Sequence, residues 1–263
     1  MNHLKELFDL SGKVAIVTGG LGMLGSEYTQ TLVRAGAKVA IFDKQQMVSG
    51  HALSSLIESG AVLNIKVDIT KRKEVESALA SVIDTFGLPQ ILINNAAIDF
   101  PPINGGGENF ENYPIEKWND TLAVNLTGMF ICCQVVGAKM AENNDGSIIN
   151  ISSIYGLLSP DQRIYKDFVK PAAYSVTKSG VLNLTRYLAT YWASKNVRVN
   201  TLTLGGVGSG QDQEFINKYS DKTPLGRMAK KDDYNGAILF LSSNASSYMT
   251  GSNLVIDGGW SAW

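Results

Sequence analysis

The chain has 263 residues, is 44% hydrophobic, and sets 23 Lys+Arg against 24 Asp+Glu for a net charge of -1. No Pro/Ser-rich linker or charge shift divides it, so residues 1–263 read as one α/β domain, and the absence of any basic stretch excludes a nucleic-acid partner. The only histidines are His3 and His51 and the only cysteines Cys132 and Cys133, which leaves almost no material for a zinc site or a histidine-based triad, and no metal is expected. Adjacent cysteines in an apolar helical stretch are poorly placed to pair with each other and read as reduced core residues.

Residues 1–10 include Lys5, Glu6 and Asp9 and lack the apolar core of a secretion signal. No uninterrupted apolar run reaches bilayer length, so a soluble cytoplasmic protein without a membrane partner is expected. Strands are predicted at 14–17, 39–42, 63–67, 91–93, 147–151, 197–202 and 254–256. Helices are predicted at 26–35, 71–86, 116–140, 172–194 and 232–242, the third of them broken into two. Short, nearly continuous apolar runs alternating with amphipathic stretches predict a Rossmann-like, doubly wound parallel sheet of seven strands flanked by helices. Its ligand belongs in the crevice at the carboxyl ends of the strands, where strand order reverses. Two polar insertions interrupt the alternation, near 100–114 and 158–171.

After the first strand comes Thr18-Gly19-Gly20-Leu21-Gly22-Met23-Leu24-Gly25. Gly19 permits the tight turn, Gly22 or a neighbour lets backbone approach a pyrophosphate, and Gly25 allows close packing of the next helix, whose N-terminus faces the phosphates. Asp43 closes the second strand, where a carboxylate accepts hydrogen bonds from the adenosine ribose hydroxyls and repels a 2′-phosphate, favouring NAD over NADP. Its alternative is a turn or helix-cap aspartate. Asp68, after the third strand, is placed either to meet the adenine or to cap the following helix. Tyr174 and Lys178, four apart, share a helix face, and an ammonium beside a phenol is expected to lower the phenol pKa. Tyr113/Lys117 and Tyr191/Lys195 have the same spacing, but only Tyr174 follows a strand ending in Asn150-Ile151-Ser152-Ser153.

In these segments the chain resembles the classical short-chain dehydrogenases/reductases, from about residue 10 to 263. Asn94-Asn95-Ala96-Ala97 is similar to the family's Asn-Asn-Ala-Gly segment, and Asn125-Leu126-Thr127-Gly128 to its helix asparagine. Gly251 and Asp257-Gly258-Gly259 match a C-terminal segment that commonly packs against a neighbouring subunit. The resemblance implies that Tyr174 is the general acid/base, that Lys178 tunes it and holds the nicotinamide ribose, that Ser153 orients the substrate oxygen, and that Asn125 holds a relay water. It likewise implies cofactor contacts at Leu24, Ile69, Asn95, Ala96, Gly205 and Val207, and a homo-oligomer, a dimer or tetramer. Met23 stands where the classical pattern has glycine, and Gly22 fits the spacing of the extended branch of epimerases and dehydratases. Leu204-Gly205 replaces the family's Pro-Gly, so the loop through Gly206, Val207 and Gly208 is expected to be mobile. Ser153 and Tyr174 are twenty-one positions apart, a longer separation than usual.

The leading reading is an NAD-dependent oxidoreductase interconverting a secondary alcohol and a ketone on a polar, sugar-like or nucleotide-sugar substrate. It rests on the hydrophilic insertions, with Asn104, Glu108, Asn109, Asp161, Gln162 and Arg163; Arg163 or Lys166 is read as able to engage a carboxylate or phosphate. Ser159-Pro160-Asp161-Gln162 and Met249-Thr250-Gly251 resemble bacterial oxidoreductases of surface-sugar pathways. The alternatives are a 3-oxoacyl-thioester reductase, an epimerase or dehydratase, and a non-catalytic NAD-binding sensor.

Overall fold

A computed structural model describes residues 2–48, 50–100, 109–166 and 169–263; the predicted polar positions Asn104 and Glu108 lie outside the described residues. The strands are β1 Val14–Thr18, β2 Lys38–Asp43, β3 Val62–Lys66, β4 Ile91–Asn94, β5 Gly146–Ser153, β6 Val197–Leu204 and β7 Asn253–Ile256. They form one sheet in the order β3-β2-β1-β4-β5-β6-β7, every pair parallel. Strand order therefore reverses between β1 and β4, and the crevice expected of a Rossmann-like sheet opens there.

Alternation along each strand feeds two cores. Val14 and Ile16 of β1, Ala40 and Phe42 of β2, and Val197 and Val199 of β6 face helices α4 (Arg72–Phe86), α5 (Ile115–Asn143) and α6 (Ala172–Tyr191). Ala15, Val17, Val39, Ile41, Leu202 and Leu204 face α2 (Met23–Arg34) and α8 (Asn235–Ser242) on the other side. Helices α1 (Asn2–Phe8), α3 (Ser54–Glu58) and α7 (Gln213–Asp221) fall where no helix was predicted.

The break expected within 116–140 does not occur. Helix α5 runs on through two π-helical stretches, Ala123–Gly128 and Cys133–Gly137. Its glycines serve close approach: a Cβ on Gly128 would lie 2.8 Å from Ile69 Cδ1, and one on Gly137 would lie 2.4 Å from the Trp192 ring. This helix is long and apolar enough to cross a membrane, yet half of that window is buried against the sheet and its neighbours. Cys132 and Cys133 lie in this core as free thiols, and burial pushes both well above their usual range. Buried polar groups bond one another here: Asn94 donates to Asn150 Oδ1 at 2.8 Å, Asn150 to Thr185 Oγ1 at 2.9 Å, and Thr201 to Thr185 at 2.8 Å. These bonds offset much of the cost of burial, with Asn94 Oδ1 left without a partner.

Candidate active site

At the switch point, Gly19 follows β1 with φ +64°, a conformation that disfavours any residue with a Cβ. Asn95, just past β4, donates from Nδ2 to the carbonyls of Thr18 and Gly19 at 3.0 and 3.1 Å. Thr18 Oγ1 accepts the N–H groups of Asn95 and Ala96, both at 3.0 Å. The glycine turn is thus stapled to the β4 loop. A Cβ on Gly25 would sit 2.1 Å from Gly19 O, so α2 starts hard against the turn; one on Gly20, not singled out from sequence, would lie 2.7 Å from Ile41. Gly22 is the N-cap of α2 and makes no side-chain cap, which leaves the first-turn N–H groups for an anion. Met23 has no left-handed backbone and is 43% exposed, so a side chain is accommodated at that position.

Asp43 ends β2, accepting from Leu21 N at 3.1 Å and Gln45 N at 3.0 Å, so it both supports the turn and lines the crevice. Asp68 Oδ1 accepts from Thr70 N and Oγ1 at 3.0 and 2.7 Å, while Oδ2 lies 3.7 Å from Lys44. Of its two sequence readings, these bonds are those of a turn before α4. A cavity of about 880 Å³ is walled by Gly19, Gly22, Leu24, Gly25, Asp43, Asp68, Ile69, Asn95 and Ala96. A second, of about 700 Å³, holds Ser153, Tyr174, Lys178, Gly205 and Val207. Leu24, Asn95 and Ala97 line both, so the cavities meet at the switch point. A close-packed glycine turn, an uncapped helix N-terminus and a carboxylate at the end of β2 together fit a dinucleotide such as NAD(P).

Ser153 ends β5 and Tyr174 lies in the first turn of α6. Two bonds hold these elements together: Ser152 Oγ donates to Lys178 O at 2.8 Å and Ser179 Oγ to Gly156 O at 2.9 Å. Gly156 is required there, since its Cβ would lie 2.6 Å from Lys178 O. Ser153 and Tyr174 line the same cavity, and the Ser153 hydroxyl acts to lower the Tyr174 phenol pKa. Lys178 is 3% exposed and donates to Ile151 O at 3.0 Å, with Nζ 5.6 Å from the Tyr174 ring centre. Asn125 lies in the first π-helical stretch of α5. Its side chain accepts Ile98 N at 2.7 Å and donates to Ile98 O at 2.9 Å, so it pins the β4 loop. Tyr191 is 65% exposed and stacked on Tyr187, away from this cluster.

The expected lowering of the Tyr174 pKa by Lys178 does not appear in the protein alone. Burial, followed by the Asp99 carboxylate, pushes the phenol well above its ordinary value, against the Ser153 hydroxyl; the ammonium is spent on Ile151 O. Burial likewise pushes Lys178 down to about 8, with Asp99 acting in the opposite direction. Below pH 8 both folded and unfolded chains hold this proton. Between about 8 and the ordinary 10.5 the unfolded chain binds more protons, so stability rises with pH across that window. Relative to Lys178→Met, which cannot titrate, the wild-type protein should gain on the order of 3 kcal/mol from pH 7 to pH 10.5. Chemical denaturation at both pH values measures the gain; a difference between the two proteins that stays constant with pH contradicts it.

The insertion contributes a cation other than those expected. Arg163 is 84% exposed and forks onto Asp161 at 2.8 Å through Nε and Nη2, and Lys166 pairs with Glu214 at 3.3 Å. Neither lines the cavity that holds Tyr174. Lys170 does line it, its side chain 13% exposed and paired with Asp99 Oδ2. Contrary to the expectation of a mobile loop, 206–208 is tied down: Val207 bridges Ala229, Gly208 N donates to Ala229 O at 2.9 Å, and Gln211 donates to Val207 O at 3.0 Å. Asp99, Lys170 and Gly20 were not identified as site residues from sequence. Asp99 follows the Asn94–Ala97 motif by two positions, which is the one local signal that pointed to it.

Residues 22–261 match the family described as enoyl-(acyl carrier protein) reductase. The chain is 33% identical over 257 residues to a 2,5-dichloro-2,5-cyclohexadiene-1,4-diol dehydrogenase of Sphingobium indicum, covering 96% of this chain and 97% of that one. It is 31% identical over 261 residues to an NAD-dependent glycerol dehydrogenase of Listeria innocua, covering 96% and 95%. Among solved structures, a short chain dehydrogenase from Leptospira borgpetersenii with bound NAD+ superposes with a TM-score of 0.86 at 36% identity, over 96% of this chain and 94% of that one. Fold, site geometry and full-length likeness agree: the chain belongs to the short-chain dehydrogenase/reductase family of NAD(P)-dependent oxidoreductases acting on CH–OH groups.

Proposed function

We propose that the protein is an NAD-dependent dehydrogenase that interconverts a secondary alcohol and a ketone on a small polyhydroxylated, sugar-like or nucleotide-sugar substrate. The observation that carries this reading is one cavity lined by Ser153, Tyr174 and the ion pair Asp99–Lys170. Ser153 donates to the reacting oxygen. Tyr174 gives it a proton in reduction and takes one in oxidation. A phenol held above its ordinary pKa is protonated at neutral pH, the form needed in reduction, so oxidation gains as pH rises. Lys178 stands beside Tyr174 and holds the nicotinamide ribose, and Asn125 fixes the β4 loop. Bound NAD supplies the hydride acceptor at carbon, with Gly19, Gly22, Leu24, Gly25, Asp43, Asp68, Ile69, Asn95, Ala96, Gly205 and Val207 as its walls. The Asp43 carboxylate supports NAD over NADP.

Exposed apolar side chains on the outer faces of α5 and α6, Phe130, Val176, Tyr187 and Tyr191, support a homo-oligomer, dimer or tetramer. Two buried free thiols fit a reducing compartment and support the cytoplasm. An acyl-thioester reductase is the second reading, favoured by the description of the matching family. Against it stands the charged pair, which an alkyl chain would strip of solvent without compensation. Oxidation assays over polyols, aldonates and nucleotide sugars test the choice. Turnover with NAD favoured over NADP by about tenfold or more in kcat/KM, about 1.4 kcal/mol, is expected. Activity confined to acyl or steroid ketones overturns the substrate reading, and preference for NADP overturns the cofactor reading.

A further inference from the structure

The Asp99–Lys170 pair sits beside the reacting group but belongs to no step assigned above. Lys170 Nζ lies 4.6 Å from the centre of the Tyr174 ring and 5.9 Å from that of Tyr155. Asp99 takes Lys170 on Oδ2, while its Oδ1 is buried without a hydrogen-bond partner. A buried carboxylate oxygen left unmatched is costly and marks an acceptor built for something else. Both residues line the cavity with Ser153 and Tyr174.

We propose that Asp99 and Lys170 form a specificity-determining subsite for a hydroxyl on the carbon next to the reacting one, so that the substrate is a vicinal diol and the product an α-hydroxy ketone. This rests on the dehydrogenase reading above and narrows it. The pair presents an acceptor and a donor side by side with no net charge. A hydroxyl is the simple group that uses both, donating to the Asp99 carboxylate while Lys170 donates to it. A carboxylate would meet like charge at Asp99, and a methylene would strip the pair of solvent without compensation. The two oxygens of a vicinal diol lie about a hydrogen-bond length apart, so a molecule held by Ser153 and Tyr174 at one oxygen brings the other to the pair.

Two features fix the subsite. Asn125 clamps both backbone groups of Ile98, immediately before Asp99, at 2.7 and 2.9 Å. Gln162 accepts from Lys170 N at 2.9 Å and donates to Lys170 O at 3.4 Å. The 158–171 insertion thereby presents its lysine to the cavity, where the side chain is largely buried. Asn125 and Gln162 are in this sense positioning residues.

The test is equilibrium binding to the full-length protein saturated with NADH, a state in which alcohols bind without hydride transfer. The ligands are 2,3-butanediol, 2-butanol and lactate, and the proteins are wild type, Asp99→Asn and Lys170→Met. Wild type should bind the diol at least about tenfold more tightly than the mono-alcohol and than lactate, and each variant should reduce that ratio below about threefold. Equal affinity of wild type for diol and mono-alcohol overturns the proposal whether or not the variants fold. Tighter binding of lactate also overturns it, by making Lys170 an anion site. An undiminished ratio in the folded variants does the same. Turnover by wild type separates the two levels: alcohol oxidation without diol preference keeps the dehydrogenase and removes the subsite, whereas diol-selective binding without oxidation keeps the subsite and removes the dehydrogenase.

Discussion

Tyr174→Phe is expected to lower turnover by about a hundredfold to ten-thousandfold, the range of a positioned proton-transfer group, while NAD binding changes little. The substitution removes one oxygen and keeps the ring. That ring packs against the apolar cluster of Tyr155, Ile164, Tyr219, Met228 and Trp260 and carries Lys170 and Lys178 near its face. The variant therefore retains its packing and loses the phenol oxygen alone. Tyr174 is not among the walls of the nucleotide cavity, so the dissociation constant for NADH, read from its fluorescence, should stay close to that of wild type. Initial rates in both directions measure the loss. Wild-type-like rates would remove the phenol from the mechanism, and a parallel collapse of NADH binding would assign it a structural role.

The sheet was legible because strands covered on both faces must be apolar on both. All seven apolar runs became strands, within two residues of their expected ends. Local pattern failed where packing overrode it. Helix α5 continues because Gly128 and Gly137 admit Ile69 and Trp192, and a sequence does not show which large side chain a glycine makes room for. Short α1 and α3 carry too few turns for a period to be read, and α7 owes its start to Asp212, whose carboxylate accepts Phe215 N at 2.9 Å.

The catalytic end of the site was legible for another reason. Ser153 closes a strand, and Tyr174 and Lys178 share one face of the helix that follows, so strand end and helix spacing suffice to align them. The substrate end depends on how an irregular insertion folds back. Arg163 and Lys170 are equivalent cations in sequence, and only the Asp161 fork on one and the Gln162 clamp on the other decide which enters the cavity. The direction of the Tyr174 shift was missed because a neighbouring charge is visible in sequence, whereas burial is not.

Gly25→Ala is the second large effect, and it acts through backbone. The added carbon would meet Gly19 O at 2.1 Å, Gly20 Cα at 2.7 Å and Gly19 C at 2.9 Å, all main-chain atoms of the turn, so no side-chain rotation relieves the clash. Either α2 withdraws from the turn or the turn leaves Asn95 and Thr18, and both movements open the crevice where the first-turn N–H groups converge. Overpacking of this kind costs about 2–3 kcal/mol. In a chain of this size that corresponds to a fall of roughly 5–10 °C in Tm. Affinity for NADH should fall by about a hundredfold, since the binding groups are backbone and move with the turn. Gly22→Ala is the matched control: its φ is -71°, and its added carbon meets only Gly19 O, at 3.3 Å. Thermal melts and NADH titrations of both variants distinguish the cases. A Gly25→Ala protein with wild-type Tm and wild-type NADH affinity would mean that α2 does not start against the turn, and that the crevice is not the dinucleotide site.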